Sequence, residues 1–220
     1  MFSYDSLEKS INKIDNSGTL LEFECFSGIN QNKYGTAFIP LAHPEEFTAD
    51  KKEKDEMAEY FRRKNLVDKY HNEIYKFDTY LPYDKAIELV KDCQPFNPES
   101  PSPDFAKKLH AAIESYIKIG DGLSLKFFTA VNSHLDYFHG VDAFFEISDQ
   151  SDNIAARTTI DIKKYNPEKA IKADLLMVVT ETEKEAYEKD DQAYQDRINQ
   201  EARKIAVKLL DNFTKRAKKN

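Results

Sequence analysis

Residues 137–180 read YFHGVDAFFEISDQSDNIAARTTIDIKKYNPEKAIKADLLMVVT, and this stretch decides the fold. Its apolar pattern predicts three short strands, over Val141–Ile147, Thr158–Lys163 and Ala173–Val179. Asp142 falls in the first. Asp161 and Lys163 fall two apart in the second and so share a face, while Ile160 and Ile162 point to the other and can bury. Carboxylates and an ammonium on half-buried strands are costly unless they meet each other, a metal or a substrate.

Working outward, Ser102 and Pro103 can open a helix DFAKKLHAAIESYIKIG that stops at Gly120, with Phe105, Leu109, Ile113, Tyr116 and Ile117 as its apolar stripe. LSLKFFTAV (123–131) can form a further strand. After the third motif strand comes a helix carrying Tyr194, Ile198, Ala202, Ile205, Leu209 and Phe213 on one face. It opens acidic and ends basic, as the helix dipole favours.

The order Asp142, then Asp161-Ile162-Lys163 nineteen positions later, then the apolar ADLLMVV resembles the core of the PD-(D/E)xK nuclease superfamily, the restriction-endonuclease-like fold. The resemblance covers about residues 103–217. Val141 stands where the name has proline, and Asp161 takes the place of the commoner glutamate. The tripeptide by itself is not specific, since Asp50–Lys52 repeats it in a charged run without strand character.

The resemblance implies an α/β fold with a mixed central sheet flanked by helices, and hydrolysis of DNA phosphodiester bonds with Mg²⁺ or Mn²⁺. It implies metal ligation by Asp142, Asp161 and the Ile162 carbonyl, with Lys163 beside the attacking water. Two neighbouring carboxylates favour the charged form of Lys163, so water orientation and charge stabilisation suit it better than general-base work. The superfamily often adds a glutamate from a preceding helix, and Glu114 occupies that place. Glu146 shares the strand face of Asp142 and competes as an extra ligand; Asp174 can cap or pair. Enzymes of this kind often cut as dimers, which makes a homodimer an open expectation.

Asp136 and Gly140 would shape the approach to Asp142. The nine residues HLDYFHGVD (134–142) hold His134, Asp136, His139 and Asp142, a set that could bind Zn²⁺ or Fe²⁺. The plainer reading of this segment is a turn at Gly140 with solvent-facing histidines. A further alternative is a catalytically inactive nuclease-fold protein that binds nucleic acid or a protein partner.

The N-terminal half is expected as an accessory region over residues 1–94, joined by the proline-rich 95–103 to a nuclease-like core over 104–220. Within it, residues 2–14 predict a short helix, and LLEFECF (20–26) alternates as a strand would. YGTAFIP (34–40) would return as its hairpin partner. Residues 50–75 predict a charged helix, and Pro82 opens another.

The chain has 220 residues, 40% of them hydrophobic and 12% aromatic, enough for a substantial core. Two cysteines without CxxC spacing argue against a disulfide framework or cysteine-zinc site. With no signal-peptide pattern and no apolar run of membrane length, a cytoplasmic setting is expected. The net charge is −7, yet the segment from Arg197 to Asn220 is +6. Arg197, Arg203, Lys204 and Lys208 are therefore candidate contacts to a DNA backbone. No Walker-type glycine loop and no Gly-x-Ser-x-Gly occurs, which excludes the common nucleotide-motor and serine-hydrolase signatures.

Overall fold

A computed structural model describes residues 19–44, 56–69, 79–164, 171–180 and 191–218. The helix expected over residues 2–14 and the Asp50–Lys52 tripeptide lie outside them. The elements in chain order are α1 (Thr19–Phe26), α2 (Gln31–Ala42), α3 (Glu56–Lys69), α4 (Tyr83–Asp92), α5 (Asp104–Ile117), β1 (Leu123–Thr129), α6 (His134–His139), β2 (Ala143–Asp149), β3 (Ile154–Lys163), β4 (Leu175–Val178) and α7 (Asp191–Ala217).

The protein is α/β, with a four-stranded mixed sheet in the order β1-β2-β3-β4. The first two pairings are antiparallel and β3–β4 is parallel. β2 and β3 form a hairpin whose turn is organised by Asp149: its Oδ1 accepts from the amides of Ser151 (2.8 Å) and Asn153 (2.9 Å). This is the usual reason Asp starts such turns. The parallel β3–β4 pair requires a crossover connection rather than a tight turn.

Both sheet faces are covered. Ala143, Phe145, Ile147, Ile160 and Ile162 pack with α1, α5 and α7 through Phe26, Leu109, Ile113, Ile198, Ala202 and Leu209. Phe128, Phe144 and Val141 meet α2 and α4 through Tyr34, Phe38, Ile39, Ile87 and Val90. Burying each large side chain contributes about 1.5–3 kcal/mol, so these two layers hold the sheet. The connector 94–103 carries no helix or strand, as its prolines require.

The hairpin expected at 20–26 and 34–40 is replaced by two helices. In α1 the buried residues are Leu21, Glu22, Cys25 and Phe26, while Phe23 is 47% exposed. Alternation would have buried Phe23 and exposed Glu22. The observed set follows i, i+1, i+4, i+5, which is a helical face. α2 repeats that spacing with Tyr34, Gly35, Phe38 and Ile39. Asn30 caps it by accepting from Lys33 N (3.1 Å), and Pro40 sits close to its end.

Smaller corrections concern element ends. β2 starts at Ala143 rather than Val141 and β4 shortens to Leu175–Val178, whereas β3 extends back to Ile154. α5 has Pro103 rather than Ser102 at its N-cap and closes at Lys118, whose φ of 47° takes the left-handed place expected of Gly120. The segment His134–His139 is a short helix instead of a turn, capped by Ser133 and ended by Gly140 at φ 60°.

The region set apart as 1–94 contributes directly to the core. Phe26 packs on Phe105 and Phe127, with ring centroids 6.1 Å and 5.3 Å away. The end of α1 is tied to the end of β1 by Thr129 Oγ1 donating to Ser27 O (2.6 Å) and Ile29 N donating to Val131 O (3.2 Å). Among the described residues no helix is long and apolar enough to cross a membrane.

Candidate metal centre

Asp142 stands one residue before β2 and continues the sheet ladder. Its N–H donates to Ile160 O (2.9 Å) and its carbonyl accepts from Ala130 N (2.8 Å). The backbone is thus fixed from both sides. The side chain is fully buried, and its Oδ2 accepts from Ile162 N at 2.6 Å. Ile162 therefore meets the site through its N–H. Asp142 Oδ1 is buried and receives no hydrogen bond. A buried carboxylate oxygen left this way costs several kcal/mol unless it is protonated or bound to a cation.

Two further carboxylates face Asp142. Glu22 comes from α1 and Asp136 from α6, and one oxygen of each lies within 4.8 Å of the others. Asp136 is half-buried and is oriented by the loop before its helix: its Oδ2 accepts from Asn132 N (2.9 Å), and Ser133 Oγ accepts from its own N–H (3.3 Å). Gly140, in the left-handed region, then turns the chain from α6 into the Asp142 strand. On β3, Asp161 is buried and Lys163 is one-third exposed, with Nζ 2.6 Å from Asp161 Oδ1.

The electrostatics follow from burial of like charges. Burial pushes Glu22 from its ordinary 4.5 up to about 8, with Asp136 and Asp161 adding to the rise and Lys163 opposing it. Burial likewise lifts Asp136 to about 6 against the Asn132 N–H, which favours the anion. Asp142 is raised well above the carboxylate range by burial, then by the charges of Asp136 and Glu22. For Lys163, burial alone would lower the pKa. The ion pair with Asp161 and the charges of Asp142 and Glu22 outweigh it and raise the ammonium above its ordinary value. Lys163 is a donor here, not a base.

The residues singled out in the sequence separate into those that meet and those that do not. Asp142 meets the Ile162 amide, and Asp161 pairs with Lys163 close enough to bear on the charges of the cluster, but Asp161 is not, among the described residues, in the set near enough to share an ion. Glu114 does not join them: it is exposed on α5, with its Oε2 3.6 Å from His110 Nδ1, and Glu22 is the helix glutamate beside Asp142. Glu146 is buried between Lys91 (2.7 Å) and Arg157 (2.5 Å), and Asp174 holds Thr159 through its N–H (3.0 Å) and hydroxyl (3.1 Å). His134 is buried with Nδ1 2.8 Å from the Tyr34 hydroxyl, and His139 Nε2 lies 2.9 Å from Leu81 O. Among the described residues, the set close enough to share an ion contains no histidine.

On α7, the four candidate backbone cations are engaged within the protein. Arg197 bonds Val178 O (2.6 Å) and Glu201 (3.0 Å), and Lys204 pairs with Glu201 (2.9 Å). Lys208 pairs with Asp174 (3.5 Å), and Arg203 lies over the Tyr116 ring (5.6 Å). Arg203, Lys204 and Lys208 nevertheless border an open groove of about 720 Å³ floored by Leu175 and Val207.

Sequence reasoning missed Glu22. Its signal was a lone glutamate on the apolar face of a helix, hidden by an equally good alternating pattern. Comparison of the chain with protein-family models, curated proteins and solved structures returns no match.

Proposed function

We propose that this protein is a metal-dependent nuclease that hydrolyses DNA phosphodiester bonds, with a restriction-endonuclease-like core around β1–β4. The observation carrying this reading is the meeting of Glu22, Asp136 and Asp142 within 4.8 Å of one another, next to the Asp161–Lys163 pair. The sheet order, with three antiparallel strands and a parallel fourth, supports it.

The donor set fits a hard divalent cation. Three carboxylates converge, and the buried Asp142 Oδ1 accepts no hydrogen bond from the protein. Asp142, Asp136 and Glu22 would hold Mg²⁺ or Mn²⁺, with Asp161 beside them. The cation would polarise the phosphoryl group and acidify a bound water.

The rest of the chemistry belongs to the chain. The Ile162 amide holds Asp142 through Oδ2 and leaves Oδ1 without a hydrogen bond from the protein. Lys163, kept charged by Asp161, offers an ammonium at the more open side of the site, where it can donate to a water or to a phosphoryl oxygen. Burial of Glu22, Asp142 and Asp161 keeps bulk water from these carboxylates and strengthens that donation.

The test is a cleavage assay on linear, circular and single-stranded DNA with Mg²⁺, Mn²⁺ or EDTA. Metal-dependent cleavage should fall about 100-fold or more in Lys163→Ala and in Asp161→Ala. Undiminished cleavage in both variants would place the chemistry elsewhere. No cleavage by the wild type would favour a non-catalytic nucleic-acid-binding or partner-binding protein of the same fold.

A further inference from the structure

The outer face of α7 carries a pattern that the hydrolytic reading leaves unused. Asp196, Gln200, Arg203, Val207, Leu210 and Thr214 are all exposed and recur every three or four residues, the spacing of one helix stripe. Val207 is 63% and Leu210 43% exposed, so the stripe is apolar in its middle. The open groove of about 720 Å³ follows this stripe, bordered by Asp196, Arg203, Val207 and Asp211, with Leu175 of β4 joining its lining. From Asp196 to Asp211 it covers about 22 Å of helix at 1.5 Å per residue. A trough of that length, apolar at its centre and charged along its rim, has the dimensions of another helix.

The charges decide which helix fits. When two copies of α7 pack antiparallel about a two-fold axis at Val207, residues equally far from Val207 on either side face each other. Arg203 lies four positions before it and Asp211 four after, so Arg203 of each copy meets Asp211 of the other. Asp196 and Lys218, eleven positions out, are opposed in the same way, and the Lys204 stem falls on Leu210. Val207 meets its own copy. No like charges face each other in this register. With the axis one turn earlier, between Arg203 and Lys204, Asp196 would face Asp211 and Arg203 would face Lys204.

The partners these groups already have leave room for a second. Asp211 pairs with Lys215 (2.6 Å) in an exposed contact of the kind that contributes little. Arg203 lies over the Tyr116 ring, and among the described residues no carboxylate holds it. We propose that this face of α7 is an interface between two copies of the chain, packed antiparallel about a two-fold axis at Val207. The inference goes beyond the nuclease reading and does not depend on it.

The experiment measures molecular mass by sedimentation equilibrium in EDTA over a range of protein concentrations, so it is read without any cleavage. The wild type should dimerise reversibly in the micromolar range, as a small and partly polar interface does. Arg203→Asp and Asp211→Arg should each weaken the dimer about tenfold or more, because two ion pairs become two like-charge contacts. The double variant Arg203→Asp/Asp211→Arg exchanges the signs and should dimerise nearly as well as the wild type. Val207→Asp, which sets two carboxylates on the axis, should be monomeric. Circular-dichroism spectra should match throughout, since the substituted side chains are exposed. A wild type that stays monomeric, single variants that dimerise as the wild type does, or a double variant no better than the singles would overturn the interface. A monomeric wild type whose Arg203→Asp variant loses affinity for a labelled duplex would assign the groove to a nucleic-acid backbone instead.

Discussion

Replacing Glu22 with Gln should make the metal-free protein more stable at alkaline pH and abolish much of its stabilisation by Mg²⁺. Gln keeps the size of the side chain and removes the charge. In the unfolded chain Glu22 loses its proton near 4.5, whereas in the folded protein it holds it up to about 8. Between those values the native state binds the extra proton, so stability falls as pH rises through the window. At about 1.36 kcal/mol per pH unit, the full penalty above pH 8 is on the order of 4–5 kcal/mol. The penalty comes first from burial and is coupled to the protons on Asp136 and Asp142, so removing one charge should recover about 2 kcal/mol. For a chain of this size that corresponds to a rise in Tm of about 4–8 °C at pH 8.5, shrinking towards zero at pH 4.5.

The same reasoning fixes the effect of a cation. A cation that displaces protons from these carboxylates binds more tightly as pH rises and releases protons when it does. Thermal melts of wild type and Glu22→Gln, with EDTA or Mg²⁺ at both pH values, contain the answer. Wild type should gain stability with Mg²⁺ chiefly at pH 8.5, and the variant should gain much less. A variant no more stable than wild type at pH 8.5 in EDTA would refute the buried-charge account. A variant with an undiminished Mg²⁺ response would remove Glu22 from the cation site.

Three other perturbations test the scaffold. Tyr34→Phe removes the hydroxyl that accepts from His134 N (3.0 Å) and lies 2.8 Å from its ring Nδ1, and urea unfolding should show a loss of about 1–2 kcal/mol. Burial lowers His134 to about 4 against its ordinary 6.5, so the unfolded chain takes up this proton first as pH falls; that part of the stability should disappear between pH 6.5 and 4, a slope that His134→Gln should flatten. Glu146→Ala leaves the cations of Lys91 and Arg157 facing a fully buried vacancy and should cost about 3 kcal/mol in the same unfolding assay without touching metal binding.

How far the fold was legible depended on which periodicity was unambiguous. The strands β2, β3 and β4 were readable because each alternates or runs apolar between turn residues, though not the hairpin pairing of β2 with β3, and α7 was readable because Ile198, Ala202, Ile205 and Leu209 fit only a helix. LLEFECF fits both periods: Leu21 and Cys25 are buried in either, and only the fates of Glu22 and Phe23 differ. Choosing the strand placed the glutamate in water and Phe23 inside, because a buried carboxylate looks locally unfavourable. That penalty disappears only when Asp136 and Asp142 are known to stand opposite it, over a hundred positions along the chain. Glu114 was preferred because the resemblance asks for a glutamate on the helix before the first motif strand, yet its half-exposed side chain ends beside His110. A charged residue buried against the local pattern is therefore the strongest pointer to the centre, and it becomes visible only through a tertiary contact.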